Sequence, residues 1–267
     1  WLFDNKKMKR KILLNPGPAT TSQSVKMAQV VPDICPREVE FTKLIKSIRL
    51  DLLKIIKASE KKYSTVLFGG SGTSAMDSII SSVIDGGNKL LILINGAYGE
   101  RMKQIAETYS INYETFEYNW GEPINFIEVE KYLVKNNDIK YIAMVHHETT
   151  TGILNPIKKF TILGKKYNCT LMLDAISSYG GIPIDLNVDP VDYILSTSNK
   201  CIQGMAGIAF VICKKESLNK IKNIKKRSYY LDLFDQYSYL EKNGQMRFTP
   251  PVQTFYALRK AIDEHFE

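Results

Sequence analysis

The feature that most constrains the fold of this chain is a regular alternation of short apolar runs with segments of helical periodicity. The apolar runs predict β-strands at Tyr63–Phe68, Lys89–Ile94, Asn112–Phe116, Tyr141–Val145, Thr170–Leu173, Tyr193–Leu195 and Ile208–Cys213. The remaining periodicity predicts helices at Val39–Lys57, Thr73–Ile84, Glu100–Tyr109, Ile127–Lys135 and Pro156–Tyr167. This alternation is typical of the α/β class, in which a mainly parallel sheet carries helices on both faces.

Composition excludes several other classes of protein. Of the 267 residues, 44% are apolar and 24% are charged, as in globular domains and unlike disordered, collagen-like or disulfide-scaffold chains. No apolar run approaches the roughly 18 residues that a membrane span requires, and residues 1–10 lack the apolar core of a signal peptide. The cysteines form no CxxC pair, so we expect reduced thiols, a cytoplasmic location and no metal site. From the absence of a long apolar run we also expect no membrane partner.

The net charge of +8 permits a second, non-enzymatic interpretation. Basic residues cluster at Lys6–Lys11, Lys158–Lys166 and Lys214–Arg227, as they would in a module that binds nucleic acid or another protein. Solvated helix faces explain the same clusters, and no zinc finger or RNA-binding strand accompanies them. We therefore expect no nucleic-acid partner, and a local role for the charge in attracting anionic small molecules.

Small and polar residues follow the predicted strands. They form the segments Gly69–Ser74, Asn95–Gly99, His146–Gly152, Asp174–Ser178 and Ser196–Lys200. In open α/β sheets, ligands bind beyond the carboxyl ends of the strands, so these segments predict a functional site at one sheet edge. The glycine-rich segment Gly69–Ser74 opens a helix and is suited to a phosphate, although such turns are often only tight connections. It is neither a Walker A loop nor a dinucleotide fingerprint, because neither spacing is present.

Asp174 and Lys200 are the strongest candidates for catalytic groups. Asp174 ends an apolar strand, where an unpartnered carboxylate is costly, although a helix N-cap or a salt bridge would also explain it. Lys200 follows the next strand among small uncharged neighbours, although most lysines are simply solvated. Pyridoxal 5'-phosphate needs an amine that forms an imine with it, a carboxylate that keeps its ring nitrogen protonated, and a phosphate cradle. The sequence therefore predicts a pyridoxal-phosphate site, in which Lys200 moves a substrate proton.

These motifs, with others in the flanks, are similar to those of a known family. The matching segments are Asn15–Thr21, Gly69–Thr73, Asn95–Arg101, His147–Pro156, Gly180–Pro183, Ser198–Gly204 and Arg247–Pro250. The chain resembles the 2-aminoethylphosphonate–pyruvate transaminases, in class V of the fold-type I pyridoxal-phosphate enzymes, along almost its whole length. The resemblance implies a fold-type I large domain and a homodimer with shared active sites.

The resemblance also implies a role for individual residues. Lys200 would be the Schiff-base lysine, and Asp174 would be the partner of the pyridine nitrogen. Ser71, Gly72 and Thr73 would form the phosphate cradle. The other cofactor contacts would come from Tyr98 and Ile176 on the two ring faces, Thr149 at the phenolic oxygen, Asn199 beside the imine, and Thr249 at the phosphate of the neighbouring subunit. His146 and His147 are expected to be structural.

The implied reaction moves the amino group of 2-aminoethylphosphonate to pyruvate and gives phosphonoacetaldehyde and L-alanine. An alanine–glyoxylate or serine–pyruvate type of class V activity stays open, as does a non-catalytic fragment of such an enzyme.

We expect an N-terminal arm and active-site turn at 1–20 and a cofactor-binding large domain at 21–250. Residues 251–267 would begin a helix that leads to a small C-terminal domain absent from the sequence. Arg37 is a weaker candidate for anion binding near the entrance.

Overall fold

The computed structural model describes residues 11–267. The first half of the arm expected at 1–20, and nearly all of the basic cluster Lys6–Lys11, lie outside the described residues. The division of the chain at residues 20 and 250 stays a prediction.

The described chain is built on a seven-stranded sheet and a small separate hairpin. In chain order the strands are β1 (Tyr63–Gly69), β2 (Lys89–Ile94), β3 (Tyr113–Glu117), β4 (Ile139–Val145), β5 (His147–Glu148), β6 (Ile153–Leu154), β7 (Thr170–Asp174), β8 (Tyr193–Thr197) and β9 (Ile208–Lys214). The sheet order is β1-β9-β8-β7-β4-β2-β3, and β5 pairs with β6. Its pairs are parallel except those made by β9, which runs antiparallel to both neighbours. The predicted mainly parallel α/β sheet is therefore confirmed.

The antiparallel strand β9 has a simple cause in chain length. Residues 198–207 alone connect β8 to β9, whereas a parallel crossover needs about a dozen residues or more. The chain therefore turns back directly, and the connecting loop stays at the edge where the parallel strands end. Lys200 lies in this loop, so the reversal keeps it at the predicted site.

Helices cover the sheet. In the described residues they are α1 (Gln23–Met27), α2 (Val39–Ile55), α3 (Gly72–Val83), α4 (Ala97–Thr108), α5 (Phe126–Lys135), α6 (Ile157–Tyr167), α7 (Lys215–Lys220), α8 (Leu233–Asn243) and α9 (Val252–Phe266). Strand β9 is buried from Ile208 to Cys213, and β2 from Leu90 to Ile94. Because successive side chains of a strand point to opposite faces, this continuous burial means that both faces are covered, as predicted.

Some elements were not expected from the sequence. The hairpin of β5 and β6 falls in the polar run after β4, because strands of two residues have no readable periodicity. Helix α1 is a single short turn whose N-cap, Ser22, accepts a hydrogen bond from the Val25 N–H at 3.1 Å. Helix α9, in contrast, lies where a helix was expected, at 251–267, and it packs on α2, where the rings of Phe41 and Phe255 meet edge to face at 5.7 Å.

Between residues 11 and 267, no helix has the length and apolarity that a membrane crossing requires. In the same part of the chain, no three His, Cys, Asp or Glu side chains lie together as metal ligands would. Its four cysteines form no disulfide: Cys169 and Cys213 are buried, Cys201 is half-buried and Cys35 is exposed.

Candidate active site

A cavity of about 430 Å³ lies where the parallel strands end. It is lined by Gly70, Ser71, Gly72, Thr73, Tyr98, Arg101, Ile176, Thr197, Asn199, Lys200, Ala206 and Gly207. A larger cavity, of about 600 Å³, lies at the opposite edge, where Thr170 begins β7 and Lys214 ends β9. The larger cavity contains none of the predicted site residues. The smaller one gathers most of them and lies where α/β sheets bind ligands, so we take it as the candidate site.

Asp174 is the last residue of β7 and is only 2% exposed. Its Oδ1 accepts a hydrogen bond from the Ile176 N–H at 2.8 Å, whereas its Oδ2 has no partner within the described residues. Burial raises the pKa of Asp174 to about 7, although the N–H of Ile176 acts in the opposite direction. Asp174 itself does not line the cavity, but Ile176 does. A buried carboxylate oxygen without a donor favours a cationic or N–H-bearing ligand beside it.

Lys200 lies in the loop after β8 and lines the cavity. Burial lowers the pKa of its amine, and the negative charge of Asp174 acts against that shift. The charge of Lys200 in turn lowers the pKa of Asp174. The two groups, delivered by neighbouring strands, are thus close enough for each to feel the other's charge.

The turn Asn15–Pro18 lies against Lys200. The amine of Lys200 donates a hydrogen bond to the Pro16 carbonyl oxygen at 3.2 Å, and Ala19 N–H donates to the Asn199 carbonyl oxygen at 2.9 Å. Gly17 has a φ of 142°, and a Cβ there would lie 2.5 Å from Nζ of Lys200. The φ of 142° favours glycine here, and the Gly17 backbone lies close against the Lys200 side chain. A segment far away in the sequence therefore forms one wall around the amine.

The glycine-rich segment meets the cavity at the start of α3. Ser71 is the N-cap, but its side chain makes no capping hydrogen bond, so it leaves the first amides of the helix without that acceptor. A Cβ at Gly72 would lie 2.7 Å from Cδ1 of Ile176, so this backbone packs directly on the segment after β7. Free amides at a helix N-terminus suit a phosphate, and Ser71, Gly72 and Thr73 all line the cavity.

Two functional candidates were missed by sequence reasoning. Arg101 lines the cavity, donates from Nη1 to Thr73 Oγ1 at 3.3 Å, and has its Cζ 4.7 Å from the centroid of the Tyr98 ring. Glu148 is fully buried and accepts from the Tyr98 N–H at 3.3 Å. Both residues lie inside the segments that match the family. A charged residue among small neighbours was the sequence signal that could have identified each of them.

Besides Asp174, two further predicted cofactor contacts do not line this cavity. Thr149 is half-buried and directly follows β5, and Thr249 is exposed in the segment before α9. Their proposed contacts, to the phenolic oxygen and to a neighbouring subunit, stay predictions. The guanidinium of Arg37 donates to the carbonyl oxygens of Met246 and, at 3.0 Å, Arg247, and its role in anion binding stays a prediction.

His146 and His147 follow β4 and do not line the cavity. The main-chain N–H of His146 donates to the Asp174 carbonyl oxygen at 2.8 Å, and the ring Nδ1 of His146 lies 2.8 Å from Ser178 Oγ. Burial lowers the pKa of His146 to about 4, so its ring is neutral near pH 7. His147 is tied to Ser177 in a similar way, with Nδ1 at 3.1 Å from Oγ. These contacts agree with the structural role expected for both.

The chemistry of this donor set fits pyridoxal phosphate. The orphaned, buried Oδ2 of Asp174 is suited to a protonated ring nitrogen, since a cation there would relieve its burial. The partly desolvated amine of Lys200 is suited to a carbonyl carbon. The uncapped start of α3 is suited to the phosphate.

Comparisons with known proteins agree with this chemistry. A family model described as aminotransferase class-V matches residues 22–265. The chain is 44% identical, over 95% of its length, to a 2-aminoethylphosphonate–pyruvate transaminase of Bacillus cereus (strain G9842), and spans 69% of that protein. It is 43% identical, again over 95% of its length, to the protein of that name in Bacillus anthracis (strain CDC 684 / NRRL 3495), of which it also spans 69%.

Solved structures show the same architecture. An alanine–glyoxylate aminotransferase from Nostoc sp. superimposes with a TM-score of 0.88 and 26% identity, over 99% of this chain and 70% of that one. A ureidoglycine–glyoxylate aminotransferase from Bacillus subtilis superimposes with a TM-score of 0.85 over 94% of this chain and 65% of that one; at 23% identity, it bears on the fold alone.

Proposed function

The chain belongs to the class-V aminotransferase family, and from that premise we propose that it transfers the amino group of 2-aminoethylphosphonate to pyruvate, with pyridoxal 5'-phosphate as its cofactor. The products are phosphonoacetaldehyde and L-alanine. One structural observation carries the proposal: a buried carboxylate with a free oxygen, Asp174, lies at the end of the strand next to the loop whose partly desolvated amine, Lys200, lines the cavity. The identity to the Bacillus transaminases supports the choice of substrates.

Pyridoxal phosphate, when bound, supplies a carbonyl group that accepts the amine and a ring that withdraws electrons from the substrate carbon. Asp174 has the task of holding a proton on the ring nitrogen, because its buried Oδ2 favours a positive neighbour. Ile176 N–H fixes the carboxylate through Oδ1, at 2.8 Å, so that Oδ2 keeps its direction.

Lys200 is proposed both to bind the cofactor and to carry protons. Its lowered pKa increases the fraction of neutral amine, and only the neutral amine is a nucleophile or a base. The Pro16 carbonyl and the Gly17 main chain hold the side chain in place and exclude water from one side of it. Asn199 and Thr197 line the cavity next to it, and the Thr197 hydroxyl lies 3.1 Å from Asn199 Oδ1.

The anionic end of the cofactor is assigned to Ser71, Gly72 and Thr73 at the start of α3. Arg101 lies beside this end of the site, where its Nη1 donates to Thr73 Oγ1. Tyr98 and Ile176 line the cavity and are proposed to contact the two faces of the ring. Thr149 is proposed to reach the phenolic oxygen from the β5–β6 hairpin.

We also propose a homodimer in which Thr249 reaches the neighbouring site. Thr249 is exposed, and so are Tyr229, which is 78% exposed, and Tyr230, which stacks on Phe248 with the ring centroids 5.1 Å apart. Exposed aromatic side chains next to one another are typical of interfaces. A cytoplasmic location is proposed from the four cysteines, none of which is in a disulfide.

The experiment measures alanine formation from pyruvate with 2-aminoethylphosphonate as amino donor. Alanine with glyoxylate, and serine with pyruvate, are measured in parallel, because the Nostoc structure supports an activity of that class. Higher kcat/KM with the phosphonate supports the proposal, and higher kcat/KM with a carboxylated donor overturns the substrate assignment. Purified protein without a visible cofactor band, after addition of pyridoxal phosphate, would favour a non-catalytic role.

A further inference from the structure

The main chain of Tyr98 is fastened to a different part of the fold. Tyr98 lies in the first turn of α4, whose N-cap, Gly96, has no side chain to accept hydrogen bonds from the first amides. Residues after β4 supply the acceptors instead. The N–H of Tyr98 donates to Glu148 Oε2 at 3.3 Å, and the N–H of Ala97 donates to Thr150 Oγ1 at 3.2 Å.

Glu148 is a carboxylate with no exposure to solvent. The hydroxyl of Thr150 donates to its Oε1 at 2.7 Å, and the N–H of Thr150 to the same oxygen at 3.3 Å. A methyl group at Gly96 would overlap the Glu148 side chain, so helix and carboxylate are in close contact. Burial of a carboxylate is costly without such donors. Glu148 therefore ties the start of α4 to the β5–β6 hairpin.

The ring of Tyr98 is held by a second residue. The guanidinium of Arg101 lies over it, with Cζ 4.7 Å from the ring centroid. Among the described residues, Thr73 Oγ1, at 3.3 Å, is the one protein acceptor that the guanidinium reaches. A cation over a ring face is attracted to it, and it leaves the opposite face for a planar ligand.

We propose that Arg101 and Glu148 are positioning residues that fix Tyr98 at the cavity, Arg101 through the ring and Glu148 through the main chain. We call these two residues the Tyr98 clamp. The proposal rests on the proposed function only for the identity of the planar ligand, pyridoxal phosphate. Its effect is to reduce the motions of the ring before the ligand arrives, so that less entropy is lost on binding.

The first test needs no cofactor. The near-ultraviolet circular dichroism of the cofactor-free protein, minus that of Tyr98→Leu, isolates the signal of the immobilised Tyr98 ring. We expect Arg101→Gln to lose about half or more of that signal, and Arg101→Lys to recover part of it because a cation returns to the ring. Lys166→Gln is the matched control, since Lys166 lies over Tyr167, at 5.6 Å, outside the cavity. An unchanged signal in Arg101→Gln would overturn the ring half of the clamp.

The second test measures the dissociation constant of pyridoxal phosphate by its visible absorption. Arg101→Gln is expected to weaken binding about tenfold, the size of a well-placed cation–π contact. In a Tyr98→Leu background the same substitution should change binding less than about threefold, because the ring on which it acts is gone. A full tenfold loss in that background would mean that Arg101 acts on the ligand directly and would refute the clamp. Tighter binding by Arg101→Gln would mean that Arg101 occupies the ligand's own face, and this too would refute the clamp.

The same binding measurement with pyridoxal, which lacks the phosphate, distinguishes a loss that arises through the Tyr98 ring from one that arises through the phosphate. If Arg101 acts through the ring, the loss should persist with pyridoxal. If it acts only through Thr73 and the phosphate, the loss should disappear, and the clamp is wrong. Absence of any cofactor binding by the unsubstituted chain would count against the proposed function, whereas the circular dichroism of the clamp variants would still decide the clamp.

The hairpin side is tested with Thr150→Val, which keeps the shape of an exposed residue but removes the hydroxyl that holds Glu148. We expect a three- to fivefold loss of cofactor affinity and a weaker Tyr98 signal. Glu148→Gln, which keeps the size of the side chain, should act in the same direction. If both variants keep the wild-type signal and affinity, the main-chain half of the clamp is wrong.

Discussion

The two charged groups of the candidate site are held in contrasting ways. Asp174 is 2% exposed, and its environment comes from its own strand and from the residues that follow it. Lys200 is half-buried, and its amine rests on Pro16 and Gly17, from a turn near the other end of the chain. The position of the carboxylate is thus fixed by the sheet, whereas the position of the amine is fixed by a contact with a segment distant in sequence.

This contrast suggests that the two groups have different roles in the reaction. A carboxylate inside the sheet cannot adjust its position, so it can hold a proton on a ligand without moving. An amine on a loop, covered by a separate turn, can reach different atoms in successive steps. We therefore expect changes near Asp174 to alter charge and stability together, and changes near Lys200 to alter chemistry with little effect on folding.

The largest effect is expected for Lys200→Ala. Removal of the amine takes away both the nucleophile and the proton carrier, so amino transfer should fall by about 10³-fold or more. The apparent melting temperature should change little, because the amine donates only to the Pro16 carbonyl among the described residues. The measurement is alanine formation together with the visible cofactor spectrum. A cofactor band that resists dialysis in this variant would show that another amine is the attachment point.

The burial of Asp174 predicts a pH dependence of stability. Its pKa is about 7 in the fold, above the ordinary value of 3.8, so the folded state binds the proton more tightly than the unfolded one. Stability from this group is present below about pH 4 and is lost as the pH rises to about 7, by up to about 4 kcal/mol.

The measurement is urea unfolding of the cofactor-free protein, and of Asp174→Asn, between pH 4 and 8. As the pH rises, the unfolding free energy of the unsubstituted protein should fall relative to that of Asp174→Asn. A difference that stays constant across this range would show that Asp174 is not the titrating group.

The same Asp174→Asn substitution should lower amino transfer by about 10²-fold, because a neutral amide no longer holds a proton on the ring nitrogen. The amide keeps the size of the carboxylate, so the fold is retained. Steady-state kinetics with both substrates, at saturating cofactor, check this. Asp77→Asn is the control, since Asp77 is a part-buried carboxylate that bonds Tyr109 outside the cavity.

A smaller effect is expected for Gly17→Ala. A methyl group there meets the Lys200 side chain, and the φ of 142° is strained for alanine, so cofactor affinity should fall about tenfold. Gly121→Ala is the matched control, because Gly121 also has a positive φ, of 93°, but no atom within 4 Å of a Cβ. Equal losses in the two variants would mean that backbone strain alone is at work and that the turn has no special relation to Lys200.

Much of the fold could be predicted from local patterns. Strands β2 and β9 are continuous apolar runs bounded by polar turns, and the alternation with helices sets the class. Asp174 and Lys200 could be singled out because each follows a strand, and strand ends of a parallel sheet meet at one edge. The β5–β6 hairpin could not, since two-residue strands leave no period to detect.

The candidate site was less predictable in its supporting contacts. Arg101 and Glu148 stand in matched segments, but no sequence spacing says that one lies over the Tyr98 ring and the other bonds its N–H. Their partners lie in segments that follow different strands, and the hydrogen-bond geometry depends on how the ends of those strands are packed. The same holds for Arg37, which bonds main-chain carbonyls of a loop that is distant in sequence.

The sequence by itself determined the class of the fold, the edge at which the chemistry lies and the small and polar segments that follow the strands, because strand and helix periods are local properties of the chain. The tertiary structure alone decided which oxygen of Asp174 is left free, that the Asn15–Pro18 turn covers Lys200, and how Tyr98 is held. Those outcomes depend on distances between segments far apart in the chain, and only packing of the complete core sets such distances.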